Sequence, residues 1–206
     1  MNASSIQLVF SRGTPRGRRR VLAALLLAAL ILPLFAASTE PASASPAPGP
    51  NQVKNGSFEN DSDGDGIPNN WVGNFNLTPA DKRVCNQSKA GNCSFKMVGD
   101  GSSKILSQEL AVSGLAGDQF DISAWARGKD VIYGAGSARG YVLFNHVGGG
   151  NNETFFGISN QTFPWAFYKL VAVEATADYY SITVFLQYST DSGKLWVDKV
   201  KLVAVP

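Results

Sequence analysis

The 206-residue sequence has a single histidine, His146, and only two cysteines, and it contains no G-x-S-x-G segment. These shortages argue against a cysteine–histidine nucleophile pair and against the nucleophile elbow of the α/β-hydrolases. Paired acids for glycoside cleavage are not excluded, but the acidic residues gather in one loop and at turns rather than within strands. The sequence therefore favours a protein that is not an enzyme.

Basic residues are in excess only at the N-terminus. The whole chain has 18 Lys+Arg and 16 Asp+Glu, and five of the arginines and Glu40 precede residue 51. Removing them leaves 13 basic and 15 acidic residues, a net charge of about −2 for residues 51–206. These totals predict no basic patch and no nucleic-acid partner.

The N-terminal segment is typical of a secretory signal. Arginines between Arg12 and Arg20 precede an apolar run at residues 21–36, and Ala42-Ser43-Ala44 offers a cleavage site. We interpret residues 1–44 as a signal peptide, 45–52 as a Pro/Ala/Ser-rich linker and 53–206 as one domain. The run is shorter than the ~20 residues of a membrane span, although an uncleaved anchor and a twin-arginine route stay open. The expected location is secreted or cell-surface, without membrane contact after cleavage.

Helical periodicity is nearly absent from residue 51 onward, and apolar and polar residues alternate instead. In QFDISAWAR, one face carries Phe120, Ile122, Ala124 and Ala126, and the other carries Asp121, Ser123, Trp125 and Arg127. In YSITVFLQY, the face with Tyr180, Ile182, Val184 and Leu186 opposes Ser181, Thr183, Phe185 and Gln187. Further strands are predicted at residues 141–147, 167–175 and 195–203. Many short strands between glycine-rich turns predict an all-β fold, an antiparallel β-sandwich of jelly-roll type.

The two cysteines, Cys85 and Cys93, are predicted to form a disulfide, because two nearby cysteines in an exported chain usually pair. The segment between them, NQSKAGN, has the composition of a surface loop. A redox pair would normally have C-x-x-C spacing, which this segment lacks.

Three aspartates alternate in the segment NGSFENDSDGDGIPNNW, at Asp61, Asp63 and Asp65, and Gly66 follows them. This is the first half of a calcium-loop pattern, in which alternate side chains of a curled loop converge on one ion. Oxygen ligands favour Ca²⁺ or Mg²⁺ over Zn²⁺, and Ca²⁺ tolerates irregular coordination. The twelfth loop position is Val72 instead of glutamate, so an EF-hand is not expected. A solvated turn without an ion is the alternative.

Two segments, VKNGSFENDSDGDGIPNNW and LWVDKVKL, resemble the start and end of carbohydrate-binding modules of the CenC type. LAGDQFDISAWARG and FPWAFYKLVAV resemble strands in the middle of that family, which belongs to the galactose-binding-like jelly-roll group. The resemblance extends over residues 53–203 and implies a two-sheet β-sandwich. It also implies a structural Ca²⁺ that joins the first strand to the last, with Glu59 and Asp198 matching the family's ligands. The position after Asp198 departs from the pattern, because it is Lys199.

Aromatic side chains are numerous enough for both a core and a sugar-binding platform, with 4 Trp, 6 Tyr and 12 Phe. Trp125 is the first candidate, because its strand neighbours on the same face are polar. We predict a carbohydrate site from Trp125 together with Arg127, His146, Phe185 and Gln187. The remaining tryptophans are expected to serve packing: Trp71 and Trp196 in the core and Trp165 at an edge.

The sequence thus predicts a secreted, non-catalytic carbohydrate-binding module that is stabilised by structural Ca²⁺ and has a polysaccharide or glycan partner. The alternative is a structural or adhesion protein of the cell surface on the same scaffold, without sugar binding. A small hydrolase that uses the sandwich groove is a third, weaker hypothesis.

Overall fold

The computed structural model describes residues 49–206, and ten strands account for most of them. The strands are β1 (Val72–Phe75), β2 (Lys82–Val84), β3 (Ser94–Val98), β4 (Ser103–Leu110), β5 (Gln119–Ile132), β6 (Ser137–His146), β7 (Asn151–Gly157), β8 (Gln161–Glu174), β9 (Tyr179–Ser189) and β10 (Ser192–Val205). No helix that could span a membrane occurs in the described range. The predicted signal peptide and residues 45–48 of the predicted linker lie outside it.

The strands form two five-stranded sheets, and every pair of neighbours is antiparallel. Sheet 1 has the order β1-β4-β9-β6-β7, and sheet 2 has the order β2-β3-β10-β5-β8. The predicted fold class, an antiparallel β-sandwich of jelly-roll type, is confirmed. Residues 49–52 also belong to this unit, because the Gly49 and Gln52 amides donate to carbonyls of β10.

The alternation predicted from the sequence places the core correctly along β5. Phe120, Ile122, Ala124 and Ala126 are all buried between the sheets. On β9 the prediction is correct for Ile182, Val184 and Leu186 but wrong for Tyr180, which is 58% exposed. Tyr179 is buried in its place, because β9 has one extra residue opposite β6 between the pairs Ser181–Asn145 and Tyr179–His146. A β-bulge of this kind moves the next side chain to the other face.

Sheet 2 has several register irregularities, and two of them lie on either side of β5, about three residues apart along that strand. On β10, the two residues Lys199 and Val200 lie opposite the single β5 residue Ala124. Lys199 has a φ of 51°. On β8, the two residues Val171 and Ala172 lie opposite the single β5 residue Asp121. Ala172 has the same φ of 51°. A left-handed φ is unusual for residues other than glycine, so these two positions distort the sheet where it meets β5.

The main polar exception in the interior is Lys104 of β4. Its ammonium lies 2.7 Å from Asp81, which precedes β2, and 2.8 Å from Asp100. Burial lowers the Lys104 pKa, but hydrogen bonds to Asp100 and Asp81 outweigh it and leave the pKa raised. The hydrogen bond from Lys104 is also the main reason that the Asp100 pKa falls to about 2. This ion pair links an inner strand of sheet 1 to the loop that leads into sheet 2.

Candidate functional site

The structure does not bring the five predicted carbohydrate-binding residues together. Trp125 and Arg127 project outward from β5 of sheet 2, and Phe185 and Gln187 project outward from β9 of sheet 1. They therefore lie on opposite faces of the sandwich. His146 ends β6, where its Nε2 atom lies 2.6 Å from the Asn152 side-chain oxygen. Alternation showed which residues point outward but not which sheet they belong to.

The outer face of sheet 1 carries a row of aromatic rings across three neighbouring strands. Phe185 of β9 pairs with Tyr141 of β6, which pairs with Phe155 of β7. The Tyr141 and Phe185 rings stack at 4.5 Å between centroids with an interplanar angle of 7°. Phe155 is 51% exposed. These rings form a contiguous apolar ridge above the sheet.

Two polar side chains border this ridge. Arg139 Nε donates a 2.5 Å hydrogen bond to Gln187 Oε1, and Gln187 Nε2 donates a 3.0 Å bond to the Ser103 hydroxyl. The Arg139 guanidinium carbon also lies 5.1 Å from the centre of the Phe155 ring. An arginine has five N–H donors, so Arg139 keeps donors for a ligand after this bond. We call Arg139, Tyr141, Phe155, Phe185 and Gln187 the platform.

Burial raises the pKa of Tyr141, and the charge of Glu153 raises it further. The Tyr141 hydroxyl therefore stays neutral and able to donate at physiological pH. Arg139, Tyr141 and Phe155 were not among the carbohydrate-binding residues predicted from the sequence. The alternation of YVLFNHV could have identified Tyr141 as outward-facing, but nothing local indicated that it lies beside Phe185.

The outer face of sheet 2 holds a groove of about 370 Å³, lined by Asp121, Ser123, Trp125, Phe167, Lys169, Lys199, Lys201 and Val203. The Trp125 and Phe167 rings meet at its floor, with 5.3 Å between centroids. Lys89 places its ammonium 3.9 Å from the centre of the Trp125 ring. Arg127 lies outside this groove, where it hydrogen-bonds to the Gln87 side chain and packs 5.6 Å from the Trp196 ring. We call this cavity the sheet 2 groove.

Residues 85–93 form the loop beside this groove, and the predicted disulfide between Cys85 and Cys93 is present. Trp196 and Asp198 of β10 are buried on this side of sheet 2. Trp71 is buried in the core, as predicted. The core position predicted for Trp196 is wrong, because Leu195 and Val197 take the inward positions and Trp196 is buried on the outer face, opposite Arg127. Trp165 lies in β8, the edge strand of sheet 2.

The same loop holds the two carboxylates that the family resemblance assigns to Ca²⁺. Glu59 accepts hydrogen bonds from the Asn92 and Cys93 amides at 3.0 and 3.2 Å. Asp198 accepts from the Lys89 and Ala90 amides at 2.7 and 3.0 Å. The N-terminal and C-terminal parts of the domain therefore meet at one loop.

Asp198 is fully buried, and it forms no ion pair with a lysine or arginine of residues 49–206. Burial raises its pKa, three backbone amides counter this in part, and the nearby charge of Glu59 raises it again. Two carboxylates that are bound to the same loop without a basic partner suit a hard cation, because oxygen ligands are what Ca²⁺ prefers. The residues present therefore fit a bound Ca²⁺.

The second predicted metal position is the loop with Asp61, Asp63 and Asp65, each of which offers an oxygen within 4.8 Å of the others. Asp61 accepts a hydrogen bond from the Gly64 amide at 3.1 Å, and Asp65 accepts one from Ile67 at 2.6 Å. Aspartate is common in turns because its carboxylate accepts such backbone hydrogen bonds, so Asp61 and Asp65 have a role in this loop even without an ion. The spacing is compatible with a cation as well.

No protein-family model and no curated protein matches the sequence. Solved structures do match in fold. A family 16 carbohydrate-binding module has a TM-score of 0.56 and 17% identity, over 74% of this chain and 99% of the module. The family 22 xylan-binding domain of a Paenibacillus barcinonensis protein has a TM-score of 0.53 and 13% identity, over 76% and 96%.

A third match is an enzyme. A Stig cyclase from Fischerella sp. has a TM-score of 0.56 and 11% identity, and the match covers 78% of this chain and 99% of the cyclase. At such identities the likeness shows a shared fold only. Because one scaffold supports both binding and catalysis, the function has to be argued from the side chains. The narrower resemblance to CenC-type modules stays a prediction.

Proposed function

We propose that this chain is a secreted or cell-surface, non-catalytic carbohydrate-binding module that binds a polysaccharide on the platform of sheet 1. The observation that carries the proposal is the row of Phe185, Tyr141 and Phe155 rings bordered by Arg139 and Gln187. Carbohydrate-binding modules of families 16 and 22 have the same fold, which supports a glycan partner.

The chemistry of the platform suits a sugar. Aromatic rings offer a large apolar area with little side-chain entropy to lose, and the C–H face of a sugar ring packs on such a surface. The hydroxyl groups need hydrogen-bonding partners at the border, which Arg139, Gln187 and the Tyr141 hydroxyl supply. Regular pairing across β4, β9, β6 and β7 holds these side chains in rows.

The acids on this face are poorly placed for cleavage. Glu109 of β4 and Glu153 of β7 lie in one row, separated by Thr183 and Leu143. Three strand spacings put their backbones about 14 Å apart, so both side chains would have to lean towards each other to reach the about 5–9.5 Å between the paired carboxyl groups of glycosidases. The Ser181 hydroxyl donates a 2.7 Å hydrogen bond to Glu109. This arrangement favours binding over hydrolysis.

Ca²⁺ completes the proposal as a structural ion. Glu59 and Asp198 would hold it, and the loop of residues 85–93 would be stabilised with them. When bound, the ion supplies positive charge that offsets the two carboxylates, which links metal binding to the stability of the fold. We assign it no role in chemistry. The loop with Asp61, Asp63 and Asp65 is proposed as an additional position.

A pull-down against insoluble neutral polysaccharides tests the sugar-binding proposal. Tyr141→Ala and Phe185→Ala should each reduce the bound fraction about tenfold or more, because each removes an aromatic contact worth about 1.5–3 kcal/mol when buried. Leu115→Ala is the matched control, since Leu115 is 65% exposed and lies in a turn away from the platform. It should bind as the wild type does.

If Tyr141→Ala and Phe185→Ala bind the polysaccharide as well as the wild type does, the platform is not the binding site. If the wild type binds no glycan at all, the adhesion hypothesis takes its place. Melting temperatures of all variants should be measured alongside, so that unfolding is not mistaken for lost binding.

A further inference from the structure

Basic side chains are concentrated on one side of this acidic domain. Nine of them project from the outer face of sheet 2 or from the loop beside it, namely Lys82, Lys89, Lys96, Arg127, Lys129, Lys169, Lys194, Lys199 and Lys201. On the strands of sheet 1, Arg139 is the only basic residue that points outward among those described. The total charge of about −2 conceals this asymmetry.

Three of these lysines, Lys169, Lys199 and Lys201, line the sheet 2 groove together with one acid, Asp121, and Lys89 lies beside it over the Trp125 ring. Lys169 pairs with Asp121 at 2.7 Å. Lys89, Lys199 and Lys201 form no ion pair with any residue between 49 and 206. The groove is therefore lined by two uncompensated positive charges, Lys199 and Lys201, and Lys89 adds a third at its side.

The bulge in β10 is what directs two of these lysines into the groove. Val200 is buried in the core, and Lys199 and Lys201 flank it on the outward side. In this bulge Lys199 has the unfavourable φ of 51°. Bulges often occur where a sheet redirects side chains towards a functional surface, and a left-handed non-glycine residue costs about 1–3 kcal/mol.

A second cluster on the same face shows that the protein tolerates repulsion there. Lys82 pairs directly with Lys96 across β2 and β3, and Lys194 lies nearby. Burial lowers the pKa of Lys96, and the charges of Lys82 and Lys194 lower it further. Like charges directly opposite on a sheet are unfavourable.

We propose that the sheet 2 groove is a second ligand site, which binds an acidic polysaccharide through its carboxylates. Lys199 and Lys201 pair with the carboxylate of one sugar unit, while Phe167, which is 52% exposed, and the Trp125 edge contact its ring. Charge complementarity selects an anion, and the aromatic floor suits a sugar ring. The site is separate from the platform on sheet 1.

Calorimetric titration of the purified protein with polygalacturonate at about 0.1 M salt, where the screening length is about 10 Å, tests this site. The double variant Lys199→Gln/Lys201→Gln should weaken binding about tenfold, as expected for two exposed ion pairs near the upper end of their usual strength. Both residues are on the surface, so the fold should persist. Methyl-esterified polygalacturonate has the same backbone without the charges, and it should bind much more weakly to the wild type.

The matched control is Lys82→Gln/Lys194→Gln, which removes the same charge from the same sheet outside the groove. It should change the affinity by less than about twofold, because Lys194 lies five residues along β10 from Lys199, about 16 Å away, which exceeds the screening length of about 10 Å at 0.1 M salt. Tyr141→Ala should leave polygalacturonate binding unchanged. Loss of neutral-polysaccharide binding and loss of polygalacturonate binding therefore report on different sites.

Three results would overturn the proposal. Equal weakening by the two double variants would mean general electrostatic attraction. Equal binding of the esterified polymer would mean that the carboxylates are not recognised. Binding of an oligothymidylate that is tighter than that of polygalacturonate, and sensitive to the same groove variant, would assign the groove to single-stranded nucleic acid, whose bases also stack on aromatic rings.

Discussion

The two outer faces of this sandwich follow the same rule of alternation and yet differ in shape and charge. On sheet 1, the strands β4, β9, β6 and β7 pair in continuous register over most of their length, and the outward side chains form an aromatic platform with one arginine. On sheet 2, bulges on both sides of β5 and the loop of residues 85–93 produce a groove rich in lysine. Regular pairing leaves a level surface, whereas bulges and loops shape a cavity.

One module can therefore carry two chemically different outer surfaces without enlarging its core. Each sheet buries one face and leaves the other free to vary. Because the two outer faces share only the core between them, substitutions on one face should leave binding at the other intact.

The largest effect on stability is expected from Lys104→Met, which removes the ion pair between β4 of sheet 1 and the loop that leads into sheet 2. Removing one partner of a buried ion pair leaves Asp81 uncompensated and should lower the free energy of unfolding by about 3–5 kcal/mol. Urea denaturation measures this loss. Lys201→Met, an exposed change on the groove, should stay within about 0.5 kcal/mol. If Lys104→Met costs no more than the control, the ion pair does not hold the sheets together.

Calcium removal should affect the two faces unequally. A site occupied at 100 times its Kd contributes about 2.7 kcal/mol, so EDTA should lower the melting temperature by roughly 5–10 °C for a domain of this size. It should also weaken polygalacturonate binding, because Lys89 lies in the loop that contacts Glu59 and Asp198. Neutral-polysaccharide binding to the platform should persist at temperatures where the domain stays folded.

Two variants identify which acidic group binds the ion. Glu59→Gln should abolish the effect of EDTA on the melting temperature. The triple change of Asp61, Asp63 and Asp65 to asparagine should leave it unchanged. If only the triple variant loses the effect of EDTA, the structural ion is bound by the acidic loop. If EDTA has no effect on the wild type and elemental analysis finds no metal, both positions are excluded.

Arg139→Lys should distinguish the faces by geometry at constant charge. Lysine cannot reproduce the planar hydrogen-bonding fork of arginine, so affinity for a neutral polysaccharide should fall about three- to tenfold, equivalent to about 0.7–1.4 kcal/mol. Arg127→Lys on sheet 2 is the matched control and should leave this affinity unchanged. Affinity electrophoresis in gels that contain the polysaccharide provides the measurement. Retention of full affinity by Arg139→Lys would remove Arg139 from the platform.

The smallest difference should appear on changing salt. The screening length shortens from about 10 Å at 0.1 M to about 3 Å at 1 M, so polygalacturonate binding should weaken severalfold over this range. Binding of a neutral polysaccharide should hardly change, because apolar contacts and hydrogen bonds carry it. Equal salt dependence for both ligands would mean that the two faces do not recognise different chemistry.

Much of the fold was predictable because its causes are local. Alternation along QFDISAWAR and YSITVFLQY indicated the buried faces, and the spacing of Cys85 and Cys93 indicated the disulfide. The error at Tyr180 has a physical reason. A bulge adds one residue through pairing with another strand, and no pattern within YSITVFLQY reports on that partner.

The candidate sites were predictable only in part. Phe185 and Gln187 were predicted and do lie on the platform, but Tyr141, Phe155 and Arg139 were missed. Trp125 and Arg127 were expected to join Phe185, yet they belong to the other sheet. The charge totals predicted no basic patch, because a sum over the chain cannot show that its lysines share a face.

The sequence by itself determined that residues after the N-terminal segment form an all-β domain, which residues face its core, and which cysteines pair. Each of these depends on neighbours within about ten residues, or on the period-2 geometry of a strand. The tertiary structure alone decided which outward side chains share a surface, because sheet membership depends on pairings between distant strands. β9 lies between β4 and β6, and β10 lies between β3 and β5, so residues far apart in the chain become neighbours on one face.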